Sequence, residues 1–233
     1  MVQQISESCM ALGKVINKPN IQISFLSYLL QGTKNILIDA VPQKASENWL
    51  HELSEVLAGE SIDAIILNHS EEDHSGALSL VLEHDPEIPV YCTAACRARL
   101  QSTHPNANFV CVEHGASVRI GDFSFRFIHT PGLHWDDNMV TLFENEGTLF
   151  SNDLFGQYLG FEDLKDDDLS ADELLTGADS YFEKVFASAL AEQKQVIAEV
   201  NELNFRCIAP GHGVVINKNL SEMLALYTKK CLA

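Results

Sequence analysis

Short apolar runs bounded by polar and turn-forming residues recur along this chain, and each predicts a strand. They lie at Gln22–Tyr28, Asn35–Asp39, Ile62–Leu67, Pro89–Cys92, Phe109–Val112, Phe123–Ile128, Met139–Leu142, Thr148–Ser151 and Arg206–Ile208. Stretches with helical spacing of apolar positions predict helices over Glu47–Leu57, Ala77–His84, Ala94–Gln101, Ala171–Leu175, Tyr181–Leu203 and Ser221–Cys231. Strands and helices alternate without a Pro/Ser-rich linker, a low-complexity segment or a repeat. The pattern predicts an α/β (α+β) protein built in layers, with residues 1–233 forming one domain.

Composition sharpens this picture in three respects. A hydrophobic fraction of 46% over 233 residues is enough for a sizeable core, and no apolar run reaches membrane-spanning length. The start, Met1-Val2-Gln3-Gln4-Ile5-Ser6-Glu7, has neither a basic segment nor an apolar signal core, so a cytoplasmic location without membrane attachment is expected. Free thiols in a reducing compartment account for all six cysteines, the Cys92/Cys96 spacing included. A net charge of −18 leaves no basic stripe for phosphates and excludes a general nucleic-acid binder. The densest acidic run, Glu162 to Asp168, reads as a solvated loop, or more sharply as a docking patch for a basic partner.

Candidate chemistry concentrates where strands end. His69-Ser70-Glu71-Glu72-Asp73-His74 packs potential metal ligands into a strand-to-helix turn directly after the run Ile62–Leu67. Three further candidates stand at later strand ends: His134 after a Pro-Gly break, Asp153 after Thr148–Ser151, and His212 in Ala209-Pro210-Gly211-His212-Gly213. Imidazole mixed with carboxylate suits iron, manganese or zinc better than calcium or magnesium. Seven ligands exceed the three or four of a single zinc and fit two metals about 3.5–4 Å apart.

The order His-x-Glu-x-Asp-His, followed by His, Asp and His on later strand ends, resembles the metallo-β-lactamase superfamily and, within it, the flavodiiron proteins. Glu71 stands where the hydrolytic branch carries a second histidine, and a carboxylate there favours iron. The matching stretches are Leu133-His134-Trp135-x-Asp137-x-Met139, Leu149-Phe150-Ser151-Asn152-Asp153-x-Phe155-Gly156-Gln157 and Ala209–Gly213, and the resemblance runs from about Ile23 to the end. It implies an αββα sandwich with the metals along one edge of two stacked sheets. It also implies that His69, Glu71 and His134 hold one iron, that Asp73, His74 and His212 hold the other, and that Asp153 bridges them. Asp136 and Asn138 depart from the family's usual Pro and Ser beside His134.

What the resemblance implies for function follows from electron supply. Full-length flavodiiron proteins continue into a flavodoxin domain, whereas this sequence shows no Gly-rich loop after a strand to hold FMN. The expectation is therefore a standalone diiron domain, resembling the oxygen-binding diiron proteins. Such a domain would carry two iron ions and no FMN, and would bind O2 as a diferric-peroxo species in oxygen sensing, as in chemotaxis. The alternative is an O2 or NO reductase served by a separate flavoprotein or rubredoxin; a dinuclear zinc hydrolase is weaker. A homodimer is also implied, with a signalling protein or an external electron donor as partner. Tyr181, at the predicted start of a long helix, is the candidate catalytic phenol, reaching bound O2, or else a packing anchor. His129 reads as a strand-end histidine rather than a pocket group, and Trp135 as packing over the pocket or a partner contact.

Overall fold

The computed structural model describes residues 1–232. In chain order its elements are β1 (Val2–Gln4), β2 (Cys9–Lys18), β3 (Ile21–Gln31), β4 (Asn35–Ile38), α1 (Ser46–Leu57), β5 (Ala64–Ile66), α2 (Glu72–Ser75) and α3 (Leu78–Leu82). There follow β6 (Pro89–Cys92), α4 (Ala94–Leu100), β7 (Asn108–Cys111), β8 (Ser117–Ile120), β9 (Phe123–His129), β10 (Met139–Phe143) and β11 (Thr148–Asn152). The chain closes with α5 (Ala171–Val185), α6 (Ala191–Lys194), α7 (Val196–Asn201), β12 (Cys207–Pro210) and α8 (Leu220–Leu232).

Two sheets result. One has seven strands in the order β1-β2-β3-β4-β5-β6-β7; the other has five, in the order β12-β11-β10-β9-β8. Strand alternation explains how they stack. Ile36, Ile38, Ala64 and Ile66 of the first sheet meet Phe125, Phe127, Met139, Phe143 and Phe150 of the second in a shared apolar layer. The intervening positions face outward: Leu37 and Ile65 pack with Trp49, Leu53, Leu78 and Leu100 of α1, α3 and α4. Val140, Leu142, Leu149 and Ile208 pack with Leu174, Phe182, Ile197 and Tyr227 of α5, α7 and α8. The layers run α, β, β, α, as expected.

Three strands are absent from the sequence-based expectation: β1, β2 and β8. The expected helix Tyr181–Leu203 is also corrected, because α5 ends at Val185 and the chain turns before α6 and α7. A continuous helix would carry Ile197 roughly 24 Å beyond Tyr181 at 1.5 Å per residue. The break instead returns Ile197 and Val200, both fully buried, to the core that holds Tyr181 and Phe182. Tyr181 accordingly lies late in α5, whose start is capped by Ser170 accepting from the Glu173 amide at 3.2 Å. The acidic run is corrected as well. Asp166 is fully buried and accepts from the backbone amides of Asn217, Lys218 and Asn219 and from Asn219 Nδ2, so it organises a loop while Asp167 and Asp168 face solvent.

Candidate metal centre

Topology gathers the strand ends. β4, β5 and β6 are parallel, and so are β11 and β12. β10 runs antiparallel to β9 and β11, so the β9–β10 connection opens at the edge where β11 and β12 finish. All seven sequence-predicted ligands come together at that edge. They form two clusters, His69/Glu71/His134/Asp153 and Asp73/His74/His212, each with ligand atoms within 4.8 Å of one another.

A polar clamp beneath the site locks the sheets together. Asp39, buried at φ +54°, accepts from the Asn68 amide (2.7 Å), Asn68 Nδ2 (3.0 Å) and Asn152 Nδ2 (3.1 Å). Thr141 donates to Asn68 Oδ1 at 2.6 Å, tying β10 to the segment that leads into the His69 turn. Left-handed backbone recurs at the ligands: His134 has φ +83° and Asn152, preceding Asp153, has φ +51°. Such conformations cost a non-glycine residue of order 1–3 kcal/mol and persist where the surroundings impose them.

Two of the imidazoles, those of His69 and His212, are aimed by their other nitrogen. His69 Nδ1 pairs with Asp137 Oδ1 at 3.1 Å, while the Ser70 amide holds Asp137 Oδ2 at 2.8 Å. His212 Nδ1 donates to the Ser24 carbonyl at 2.8 Å. Both arrangements turn Nε2 toward the centre, as metal-binding histidines require. His74 fits because residue 211 is glycine: a Cβ there would lie 2.5 Å from His74 Cε1.

Asp153 joins the clusters. Its Oδ1 lies 3.3 Å from Nε2 of both His74 and His212, and its Oδ2 lies 3.7 Å from His69 Nε2. Glu71 Oε2 lies 2.7 Å from His134 Nε2 and 3.3 Å from His69 Nε2; Asp73 Oδ2 lies 3.3 Å from His212 Nε2. Two buried carboxylate oxygens, Asp153 Oδ2 and Asp73 Oδ1, have no hydrogen-bond donor. Buried carboxylate oxygens facing imidazoles and lacking donors suit a pair of cations.

The electrostatics agree. The hydrogen bond from His134, then that from His69, holds Glu71 down to about 2. Burial works to raise Asp73, but His74 and His212 outweigh it and hold the carboxyl at about 2. Burial likewise opposes charge on His69 and His212, yet Asp137 and Glu71 carry the first up to about 10, and Asp153 and Asp73 carry the second up to about 10. Raised imidazoles beside lowered carboxylates mark a pocket that favours positive charge.

Tyr181 is fully within the core and donates its phenol O–H to Asp153 Oδ1 at 2.7 Å. Gly156 leaves room for its ring, since a Cβ there would fall 2.7 Å from Tyr181 Cε1. His129 stays outside the pocket, with Nε2 3.1 Å from the Val112 carbonyl. Trp135 sets its edge against His69 at 4.9 Å, and Arg99 bridges it to Asp136 (2.5 Å) from α4. The Asn138 side chain accepts from the Trp135 amide at 3.0 Å and so shapes the His134 loop. Sequence reasoning assigned no role to Asp39, Asn68, Asp137, Asn152 or Ser24. Asp137 and Asn152 carried a signal, their places in the stretches around His134 and Asp153 that resemble the family, but the others act through contacts that no local pattern announces.

A family model described as ODP family beta lactamase matches residues 23–213. The anaerobic nitric oxide reductase flavorubredoxin of Vibrio vulnificus is 36% identical over 209 residues, covering 88% of this chain and 42% of that protein. The protein of the same name from Salmonella typhi is 36% identical over 211 residues, covering 88% of this chain and 44% of its own length. The chain thus spans less than half the length of these two curated relatives. Among solved structures, the rubredoxin oxygen:oxidoreductase of Desulfovibrio gigas superposes with a TM-score of 0.90 at 22% identity, covering 100% of this chain and 62% of that one, a likeness of fold. A variant of the flavo di-iron protein of Thermotoga maritima gives a TM-score of 0.89 at 26% identity, covering 97% of this chain and 60% of that one.

Proposed function

This chain belongs to the flavodiiron family of metallo-β-lactamase-like diiron domains, and we propose that it binds O2 or NO at a two-iron centre. His69, Glu71 and His134 would hold one iron, Asp73, His74 and His212 the other, with Asp153 between them. The observation that carries this reading is the division of Asp153, one carboxylate oxygen facing each cluster. When bound there, two ferrous ions would supply two electrons to a diatomic ligand. The protein's own residues do the rest: Asp137 and Ser24 fix the imidazoles, Tyr181 pins the bridging carboxylate, and Trp135 covers the His69 side. Glu71, His134 and Asp73 are partly exposed, which favours ligand entry past these three side chains.

Beyond binding, the reading is reduction of O2 or NO with electrons from a flavoprotein or rubredoxin. The relatives' names, nitric oxide reductase flavorubredoxin and rubredoxin oxygen:oxidoreductase, support it. Oxygen sensing uses the same site and differs in turnover. A zinc hydrolase would share the fold, but Glu71 in place of a nitrogen ligand disfavours it. The domain is read as a homodimer in the cytoplasm, and no helix among the described residues is long and apolar enough to cross a membrane.

The test is anaerobic iron loading followed by O2 or NO addition, with and without a reduced flavoprotein or rubredoxin. The expected result is two irons per chain, a visible absorption change on O2 addition, and sustained gas consumption with the donor. A persistent absorption with negligible consumption would replace reduction by sensing. Stoichiometric zinc that does not exchange for iron would remove the diiron assignment.

A further inference from the structure

The loop that carries His134 joins β9 to β10 and is pinned at both ends. The Thr130 amide donates to the Asn138 carbonyl at 2.8 Å, Leu133 lies in the apolar layer shared with α5, α7 and α8, and Asp137 is fully buried. Between these anchors the apex reaches toward solvent: His134 and Trp135 are half-buried, and the Asp136 side chain is 68% exposed. His134 sits in left-handed backbone at φ +83°, so its place depends on what holds the apex.

One side chain from another element meets that apex at several points. Arg99, on α4, donates from Nη2 to Asp136 Oδ1 at 2.5 Å. Its guanidinium lies 4.8 Å over the Trp135 ring, and its Nε lies 3.8 Å from Asp137 Oδ1. A planar guanidinium stacks on an indole face while its edge pairs with a carboxylate, a combination that an ammonium does not reproduce. The groups that Arg99 holds border the ligands in turn. The Trp135 ring lies 4.9 Å from that of His69 and 5.7 Å from that of His134, and Asp137 Oδ1 pairs with His69 Nδ1. Asp136 stands where the family resemblance has Pro, a residue with no charge to offer Arg99.

We propose that Arg99 is a positioning residue for the first cluster: with Asp136 it latches the apex of the His134 loop onto α4, and so sets how fast a metal held by His69, Glu71 and His134 is released. The metal part of this inference rests on the diiron reading above, whereas the latch itself belongs to the metal-free protein. For His134 to swing away, the apex must leave α4, which separates Asp136 and the Trp135 face from Arg99 together. An exposed ion pair and an exposed cation–π contact are jointly worth about 3–30-fold in such a rate. Arg99 is 43% exposed and Asp136 68%, so salt screens their attraction and should loosen the latch. Among the described residues Arg99 forms no hydrogen bond or ion pair with Asp73, His74 or His212, so release from the second cluster should not depend on it.

The test loads the protein anaerobically with ferrous iron and follows its release to a chromophoric chelator by stopped flow, at low and high salt. Arg99→Ala, Asp136→Ala, the double variant and Arg99→Lys are compared with the native chain, and the phase missing from His134→Ala identifies the first cluster. In the metal-free protein, acrylamide quenching of Trp135 reports the apex directly; Trp49, fully buried, supplies the background measured in Trp135→Phe. Arg99→Ala should speed the first-cluster phase by about 3–30-fold and leave the other phase unchanged. Asp136→Ala should have a smaller effect, the double variant should release no faster than Arg99→Ala, and Arg99→Lys should fall between Arg99→Ala and the native chain. Salt should speed the native phase and lose its effect in Arg99→Ala, and Trp135 quenching should rise in step with the rate. Additive effects in the double variant, equal acceleration of both phases, or Trp135 quenching that ignores both substitutions and salt overturns the latch. Failure of the native chain to take two irons removes the diiron reading instead, and the quenching alone then decides whether the latch exists.

Discussion

Replacing Asp137 by Asn should weaken one metal and spare the other. Asp137 is fully buried and uses its two oxygens for two donors, His69 Nδ1 at 3.1 Å and the Ser70 amide at 2.8 Å. Asn keeps the volume but offers one acceptor oxygen, so one of those donors loses its partner. A buried donor left unsatisfied costs about 1–3 kcal/mol. Loss of a group that orients a metal-binding imidazole typically costs about 10–100-fold in affinity, or roughly 1.4–2.7 kcal/mol at 1.36 kcal/mol per tenfold. The two routes agree. The damage should stay local, because His212 is held separately by the Ser24 carbonyl and His74 by the space above Gly211. Anaerobic competition against a chromophoric chelator resolves the two binding steps, with the melting temperature of the metal-free protein as a control for folding. The site of His69, Glu71 and His134 should weaken by about 10–100-fold while the other stays nearly unchanged. Equal weakening of both sites, or a lowered melting temperature with unchanged affinity, would refute the assignment of Asp137 to His69.

Three other perturbations test separate parts of the reasoning. Gly211→Ala should displace the His74 ring and overpack the site by about 1–3 kcal/mol, seen as a lower melting temperature and loss of the metal at Asp73, His74 and His212; full occupancy would show that the 2.5 Å approach relaxes harmlessly. Asp166→Ala should strand the amides of Asn217, Lys218 and Asn219, at about 1–3 kcal/mol each, and lower the melting temperature without changing metal content. The pH dependence has two signs. In the metal-free protein His69 and His212 are raised from 6.5 to about 10, so their contribution is complete below 6.5 and is lost as pH rises through 10. Glu71 and Asp73 are lowered to about 2 from 4.5 and 3.8, so their contribution is present above 4.5 and is lost as pH falls through 2. Metal binding at neutral pH should therefore release protons, with affinity rising as pH rises; calorimetry giving the same heat in buffers of different ionisation enthalpy would contradict this.

The ligands were legible because metal binding asks for particular side chains at particular strand ends, and both properties are local. His69, Glu71, Asp73 and His74 fall within six positions, and His134, Asp153 and His212 each follow a short apolar run. The groups that aim them were not, because Ser24 and Asp39 work across long chain separations. The strand β2 escaped notice for a related reason. Its residues Cys9–Lys18 include Met, Ala, Gly and Lys, which favour strands weakly, and its conformation is set by pairing residue for residue with Ile21–Leu30 of β3. Tertiary packing likewise decided the helix break after Val185, where helical spacing alone runs on.

The same non-local contacts explain why this edge of the sandwich needs cations. Glu71, Asp73 and Asp153 bring three carboxylates into one partly or fully buried pocket, with Asp39 and Asp137 buried just behind them. Burial pushes the Asp39 carboxyl upward despite the attraction of nearby His74, a sign of how little positive charge the side chains supply there. Without metal, protons on His69 and His212 would balance these carboxylates. Two divalent ions would take the place of those protons, held by Glu71 from the turn after β5, His134 from the β9–β10 connection and His212 after β12 together with Asp153. They would leave His69 and His212 their outer partners Asp137 and Ser24. Metal bound across these ligands would therefore stabilise the joint between the sheets, as any ligand of the folded state does. The His134 loop, held by Arg99 on Asp136, by Thr93 donating to the Asp137 carbonyl and by the Trp135 amide on Asn138, is the segment whose stability should follow metal most closely.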